Sequence, residues 1–273
     1  MTNPFRVGIV QLRTEPERND TYEKAQKMIF RAAENGANVI VLPEMWDCPY
    51  QSRYFREAAS RGHEETVRKL SSWAKATGTI LIGGSTVEVE NGCLYNTCFV
   101  FDKNGNLLAK HRKVHLFDVD LPGMSFRESD TFTPGCSDTV FDTEYGRFGV
   151  AVCFDVRFPE LFRKMARKGA EVIFLPAQFN MTTGPAHWEP TIRMRAVDNE
   201  VYMVAASAAK CDGFSYECWG HSMVADPYGE VKVSCEFEET VLFADIDPER
   251  IRTVRSQLPT FLHLREDVYT VAD

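Results

Sequence analysis

The chain lacks any long hydrophobic run and any excess of basic residues. Its longest largely apolar stretch, residues 201–209, is bounded by charged residues, whereas a bilayer-spanning helix needs about 20 apolar residues. Lys and Arg number 31 against 39 Asp and Glu, which gives a net charge of −8. Because nucleic acid and anionic membranes are bound through a basic face, we predict neither as a partner.

Targeting and cofactor motifs are missing as well. The N-terminal residues MTNPFRVGIVQL show neither the order of a signal peptide nor the composition of a transit peptide, which predicts a cytoplasmic location and leaves a mitochondrial copy open. The eight cysteines are sparse in 273 residues and do not have the paired spacing of a zinc site. We therefore predict reduced thiols and no metal. No phosphate loop or dinucleotide fingerprint occurs, so we predict no cofactor either.

Short β-branched runs alternate with helix-periodic stretches, which is typical of an α/β fold. The phrase GANVIVLPE at residues 36–44 returns as GAEVIFLPA at 169–177, and RVGIVQ at Arg6 returns as RFGVAV at Arg147. Two similar halves could pack sheet on sheet with helices outside. Since no Pro/Gly/Ser-rich linker divides the chain, we predict a single domain over residues 1–273.

Three residues are candidates for chemistry. Cys153 ends a buried-strand pattern at a strand-to-helix turn, where α/β sheets usually meet ligands, although a packed core cysteine is the alternative. Glu44 follows another buried strand and could face a cleft as a general base, or it could be an exposed loop residue. Lys113 lies in the basic segment KHRKVH, where most such lysines are simply solvated.

The histidines of that segment, His111 and His115, could suggest a metal site. The segment is predicted to be extended, with no third ligand nearby in sequence, so a metal is not predicted there.

Taken together, Glu44, Lys113 and Cys153 resemble the nitrilase, or carbon–nitrogen hydrolase, superfamily, whose members use a glutamate, a lysine and a cysteine in that order. The phrases LPEMW, KHRKVHLFD, CFDVRFPEL and GHSMVADPYGEV resemble it too, and the likeness covers nearly the whole chain. The resemblance implies a four-layer αββα sandwich and at least a homodimer. It also implies a further functional glutamate, which Glu128 matches.

Within the superfamily the sequence is most similar to the ω-amidase branch, through HLFDVDLPG, LYNTCFVF and FNMTTGPAHWE. This implies hydrolysis of small dicarboxylic acid monoamides, such as α-ketoglutaramate or succinamate, through a cysteine thioester. The segment between Gly123 and Phe126 is about one residue shorter than in such relatives, and Phe154 stands where many have tyrosine. The alternatives are action on deaminated glutathione or N-carbamoyl amino acids, a nitrilase, and a non-catalytic interaction protein.

Arg157 follows the candidate nucleophile by four residues and could bind a substrate carboxylate bidentately. The alternative is a structural ion pair with Glu160 or Asp155. The backbone N–H of Phe154 is a candidate oxyanion donor. The remaining residues expected to line the pocket follow the buried strand of the second half: Phe179, Met181 and Thr183.

Overall fold

Short strands alternate with helices along the chain, as the sequence pattern predicts. The computed structural model describes residues 3–121, 124–211 and 216–269. In these ranges the strands are β1 (Phe5–Gln11), β2 (Val39–Val41), β3 (Ile80–Ile82), β4 (Thr86–Glu90), β5 (Cys93–Phe101), β6 (Leu107–Arg112), β7 (Asp118–Leu121), β8 (Met124–Arg127), β9 (Thr139–Thr143), β10 (Gly146–Val150), β11 (Val172–Ala177), β12 (Tyr202–Ser207), β13 (Met223–Ala225), β14 (Val231–Ser234) and β15 (Thr240–Ile246).

The helices connect these strands. The α-helices are α1 (Arg18–Glu34), α2 (Ser52–Arg61), α3 (Glu64–Thr77), α4 (Pro159–Arg167), α5 (Gly184–Asn199) and α6 (Pro248–Gln257). Short 3-10 helices span Glu128–Asp130, Cys153–Arg157 and Thr260–His263. Pro122 and Gly123 lie outside the described residues, and the shortening predicted between Gly123 and Phe126 stays a prediction. No helix in the described ranges has both the length and the hydropathy needed to cross a membrane.

The two main sheets share one plan. The first has the strand order β15-β1-β2-β3-β5-β4, with β6 paired to β5, and the second has the order β14-β13-β12-β11-β10-β9. In each, three parallel strands form the centre: β1, β2 and β3 in the first sheet and β10, β11 and β12 in the second. An antiparallel strand lies on either side of each trio. The predicted similarity of the two halves is therefore confirmed.

The sheets pack face to face with helices on the outside. Val39 and Val41 of β2 share a core with Val150 of the second sheet, whereas Ile40, between them, points to the core beneath α1 and α3. In the second sheet Phe148 packs on Phe5 of the first, with ring centroids 5.5 Å apart. Because neighbouring residues of a strand point to opposite faces, this alternation builds four layers. The predicted αββα sandwich is confirmed.

A glycine lets the outer helix approach the sheet at the same point in each half. A Cβ at Gly8 in β1 would lie 3.0 Å from the Ala32 Cβ and 3.2 Å from the Ala37 Cβ. A Cβ at Gly149 in β10 would lie 3.1 Å from the Met165 Sδ. The two equivalent glycines thus serve close helix–strand packing, and the sequence echo around them has a structural cause.

Candidate active site

Two left-handed turns carry the first pair of candidate residues. Glu44 follows β2 and is succeeded by Met45, which has a φ of 43°. Cys153 follows β10 and itself has a φ of 45°. Residues other than glycine are uncommon in this region, and such strain is concentrated at functional sites. Both side chains are buried, with Glu44 at 0% and Cys153 at 5% exposure.

Lys113 reaches the same place from the end of β6. Its side chain is fully buried, and its Nζ donates to Glu44 Oε1 at 2.8 Å and to Glu128 Oε2 at 2.8 Å. The Tyr50 hydroxyl lies 3.5 Å from the same nitrogen. A buried ammonium is costly unless it is paired and hydrogen-bonded, and here two carboxylates provide both.

Asn96 of β5 joins the two carboxylates on their other side. Its Nδ2 donates to Glu44 Oε1 at 2.8 Å and to Glu128 Oε1 at 3.0 Å. Glu128, fully buried at the start of its 3-10 helix, also accepts a 2.6 Å bond from the backbone N–H of Phe117. By contrast, Glu44 Oε2 is buried and has no hydrogen bond of ordinary geometry in the described structure, although the Glu44 carboxylate also interacts with the Cys153 thiol. Glu44 therefore keeps one oxygen available.

The pKa values show how these groups act on one another. Burial raises the pKa of the Glu44 carboxyl; the Lys113 ammonium opposes the shift and the Glu128 carboxylate adds to it. Burial works against the charged form of Lys113, but Glu128 and Glu44 outweigh it and raise the pKa of that amine. Burial and then the charge of Glu44 raise the pKa of the Cys153 thiol well above its ordinary value. The resting site thus holds a charged lysine and a protonated thiol.

Gln178 ties the ends of three strands together beside the thiol. Its carbonyl accepts a bond from Cys153 Sγ at 3.7 Å and another from the Tyr216 hydroxyl at 2.5 Å. Its side-chain amide donates to the backbone carbonyl of Glu44. Since Gln178 follows β11 directly, it links the ends of β2, β10 and β11 where the candidate residues meet.

Arg157 lies close to Cys153 without a carboxylate partner. Its guanidinium is 5.7 Å from the Phe154 ring centre and 5.1 Å from that of Phe179, and its Nη1 is 3.2 Å from His187 Nδ1. Burial lowers the pKa of Arg157, with the nearby Cys153 opposing. Within the described ranges no acid pairs with Arg157, so the structural ion pair considered from the sequence is not formed.

The other predicted pocket residues differ in their surroundings. Phe179 is buried against Trp188, with ring centroids 5.0 Å apart, and Phe154 is partly exposed beside Arg157. Thr183 turns its hydroxyl to Asn180 Oδ1 at 3.0 Å, in the turn that begins α5. Met181 is partly exposed. Their assignment to a substrate pocket stays a prediction.

Comparison with known proteins shows which family the chain belongs to. The sequence model of the carbon–nitrogen hydrolase family matches residues 6–256. The chain belongs to that family. It is 47% identical over 270 residues to Omega-amidase NIT2-B of Xenopus laevis, covering 98% of each chain. It is 46% identical over 268 residues to Omega-amidase NIT2 of Homo sapiens, covering 98% of this chain and 97% of the human one.

A solved structure shows the same fold. Nit3 of Saccharomyces cerevisiae, described as a member of branch 10 of the nitrilase superfamily, has a TM-score of 0.90 and 37% identity to this chain, with 97% of each chain covered. These comparisons confirm three predictions: the family, the nitrilase-like fold, and an amidase of the nitrilase superfamily.

Several residues of this carbon–nitrogen hydrolase's candidate site were not foreseen from the sequence. Asn96, Tyr50 and Gln178 converge from elements far apart in the chain, so no local pattern marks them together. The one usable signal was Asn96, a polar residue within the apolar run LYNTCFVF. The histidines that suggested a metal instead both contact the buried carboxylate of Asp155.

Proposed function

We propose that this carbon–nitrogen hydrolase is an ω-amidase, which releases ammonia from small dicarboxylic acid monoamides such as α-ketoglutaramate and succinamate. The observation that carries the proposal is the buried Lys113 ammonium held 2.8 Å from both Glu44 and Glu128, beside the Cys153 thiol. The omega-amidase names of relatives at 46–47% identity support the same class.

Cys153 is the proposed nucleophile and Glu44 its base. The pKa of the thiol is raised, so the resting sulfur carries its proton and needs a partner that removes the proton during attack. Glu44 has one carboxylate oxygen without a hydrogen bond of ordinary geometry, and a pKa raised by burial makes its carboxylate a stronger base than an ordinary glutamate. The charge of Lys113 stabilises the thiolate as it forms.

The proposed acylation step moves one proton and breaks one carbon–nitrogen bond. The sulfur attacks the amide carbon while Glu44 takes the thiol proton, and the carbonyl oxygen becomes an oxyanion. Lys113 Nζ and the backbone N–H of Phe154 are the proposed donors to that oxygen. The intermediate collapses as the nitrogen receives the proton from Glu44, so ammonia leaves and a thioester stays on Cys153.

Water completes the proposed cycle. Glu44 accepts a proton from a water molecule while the oxygen of that water attacks the thioester carbon. The Cys153 thiolate then leaves and recovers the proton from Glu44. Glu128 holds Lys113 in place and Asn96 holds Glu44, since each bonds directly to that residue and Asn96 also donates to Glu128. Glu128 is thereby the proposed fourth functional residue, which orients Lys113 or the incoming water.

Arg157 is the proposed receptor for the distant carboxylate of the substrate. It is a half-buried cation without an acidic partner in the described residues, near the nucleophile and between two aromatic rings. A planar guanidinium can bind a carboxylate through two parallel hydrogen bonds. Phe154, Phe179, Met181 and Thr183 are the proposed walls of the same pocket.

Ammonia release tests the proposal directly. The purified protein is assayed with succinamate and α-ketoglutaramate, with a peptide amide and an N-carbamoyl amino acid as comparison substrates. We expect turnover of the acidic monoamides and an acyl-enzyme mass adduct on Cys153. Turnover confined to the peptide or carbamoyl substrates would assign the protein to another branch of the family. Absence of any adduct on Cys153 would favour a non-catalytic interaction protein.

Two further properties belong to the proposal. We infer a cytoplasmic homodimer or higher homo-oligomer that takes a small-molecule amide as its partner and needs no metal. Light scattering on the protein as it elutes from a size-exclusion column measures the oligomeric state. A monomer at micromolar concentration would contradict the inferred homo-oligomer. Full activity after dialysis against a chelator is expected.

A further inference from the structure

Asp155 is a fully buried carboxylate that the proposed reaction does not use. It is the third residue of the 3-10 helix that begins with Cys153. Its Oδ2 accepts bonds from Val152 N at 2.9 Å and His111 Nε2 at 3.2 Å. Its Oδ1 accepts from both the backbone N–H and the ring Nδ1 of His115, each at 2.8 Å. One carboxylate therefore receives four hydrogen bonds from two separate segments.

On one side these bonds hold the turn that carries the thiol. The Asp155 carboxylate accepts from Val152 N, and the Asp155 N–H donates back to Val152 O at 3.1 Å. Cys153, with its φ of 45°, lies inside this reciprocal pair. A non-glycine residue in that region persists only where its surroundings enforce it, and this pair of bonds does so.

On the other side the bonds hold the segment that carries the ammonium. His111 and His115 flank Lys113, two residues before it and two after it. His111 is fixed further by Thr139 Oγ1 at 3.0 Å, and the His115 ring stacks on Phe158 with centroids 3.6 Å apart. The same carboxylate thus links the Lys113 backbone to the Cys153 turn.

We propose that Asp155 is a positioning residue that fixes the Cys153 thiol relative to the Lys113 ammonium. It acts through geometry alone, since the thiol bonds to the Gln178 carbonyl and not to Asp155. An ionised carboxylate is required because all four partners are donors. Consistent with this, burial works against its charge, but the bonds from His111 and His115 outweigh burial and hold the pKa of Asp155 below its ordinary value.

Asp155→Asn tests the proposal. The asparagine side chain has about the volume of the aspartate but only one acceptor oxygen. Its NH₂ group is itself a donor and cannot accept the bonds from two of the four donors. Because a misplacement of about 1 Å can cost about 100-fold in rate, we expect kcat for succinamate to fall by about 100-fold with KM changed less than about threefold. The rate of Cys153 alkylation by iodoacetamide, followed by mass spectrometry of the Cys153 peptide, is expected to change with it.

Asp226→Asn is the matched control. Asp226 is also buried and accepts bonds from the backbone N–H groups of Tyr228 and Glu230 and from Arg250 Nε, with no contact to the candidate site in the described structure. We expect both variants to lose thermal stability, but only Asp155→Asn to change kcat and the Cys153 alkylation rate. Equal losses of kcat in the two variants, or an unchanged alkylation rate in Asp155→Asn, would overturn the positioning role.

A milder variant covers the case in which Asp155→Asn does not fold. His115→Phe keeps the ring stack on Phe158 and the backbone bond to Asp155, and removes only the ring N–H donor. We expect about a tenfold loss of kcat, in line with one charge-assisted hydrogen bond. The inference rests on the proposed function only for the turnover assay. If no amide is hydrolysed by the unmodified protein, the proposed function fails, while Cys153 alkylation still decides the role of Asp155.

Discussion

The two halves of the molecule are alike where they pack and different where the candidate site lies. In the aligned echoes, β2 and β11 share buried apolar residues, but Glu44, three residues after β2, corresponds to Ala177, the last residue of β11. Likewise Cys153 after β10 corresponds to Leu12 after β1. Each half thus supplies one reactive residue at a position where the other half has an apolar one.

The difference teaches that the strand ends, rather than the strands, distinguish the halves. Buried strands must fill the same space between sheet and helix, so their sequences are constrained alike. The residue just beyond a strand has no such constraint and faces the place where both sheets end. Substitutions at the paired positions therefore separate packing from chemistry.

The largest expected effect is at the pair Cys153 and Leu12. Cys153→Ala removes the proposed nucleophile, and we expect kcat to fall by at least about 10⁴-fold, as for other catalytic nucleophiles. Thermal stability is expected to change little. Leu12→Ala, at a fully buried position, is expected to cost about 2–5 kcal/mol of stability while the folded fraction keeps its kcat. Ammonia release measures kcat, and thermal denaturation measures stability. A loss of kcat in Leu12→Ala as large as that in Cys153→Ala would contradict this comparison of the two halves.

Next in size is Glu44→Gln, which keeps the side-chain shape and removes the proposed base. We expect kcat to fall by about 10²–10⁴-fold, the usual contribution of general acid–base catalysis. In the unmodified protein kcat/KM is expected to fall as the pH is lowered, because a base must be ionised. Since the pKa of Glu44 is raised, that fall begins above the ordinary glutamate value of about 4.3. The variant is expected to lose this dependence.

The control for this prediction is Glu200→Gln. Glu200 is also buried, at 2% exposure, but its carboxylate accepts bonds from the backbone N–H and the hydroxyl of Thr260, which is not a candidate site residue. We expect it to reduce stability and leave the acid limb of kcat/KM in place. An acid limb that persists in Glu44→Gln would assign the titration to another group.

A smaller effect is expected at Arg157. In the alignment that pairs Cys153 with Leu12, Arg157 is paired with Pro16. The first half therefore has no cation at the corresponding position. Arg157→Lys keeps the charge but loses the planar fork, and we expect KM for succinamate to rise by about tenfold with kcat changed less. Propionamide, which lacks the distant carboxylate, serves as the comparison substrate. An unchanged preference for succinamate over propionamide would remove Arg157 as the carboxylate receptor.

Much of this comparison could be predicted from the sequence, because its parts are local. The echoes around Gly8 and Gly149 predict the two halves, and the phrases around Glu44, Lys113 and Cys153 predict the family. Each of these patterns is contained within about ten neighbouring residues. The hydrogen bond of Glu44 with Lys113 then joins the ends of two strands of the first sheet, β2 and β6.

What the sequence could not predict are contacts between distant elements. Asn96 bridges Glu44 and Glu128, and Gln178 reaches the backbone of Glu44 across the two halves. These bonds depend on the exact approach of separate strands, which no periodicity encodes. Thr183 shows the converse: its hydroxyl bonds within its own turn, so its place in sequence does not by itself assign a pocket role.

The smallest expected effect lies where the halves are most alike, at Gly8 and Gly149. In Gly8→Ala the new methyl group would sit 3.0 Å from the Ala32 Cβ, which has no rotamer that moves it away. In Gly149→Ala the nearest atom is the Met165 Sδ at 3.1 Å, in a flexible side chain that can repack. Overpacking costs about 1–3 kcal/mol, so we expect Gly8→Ala near the top of that range and Gly149→Ala near the bottom. Urea denaturation of both variants measures the difference, and kcat is expected to be the same in each because the side chains nearest to both glycines are not candidate site residues. If Gly149→Ala were the more destabilising, the helix–strand contact would be tighter in the second half than in the first, and packing would distinguish the halves as much as the strand ends do.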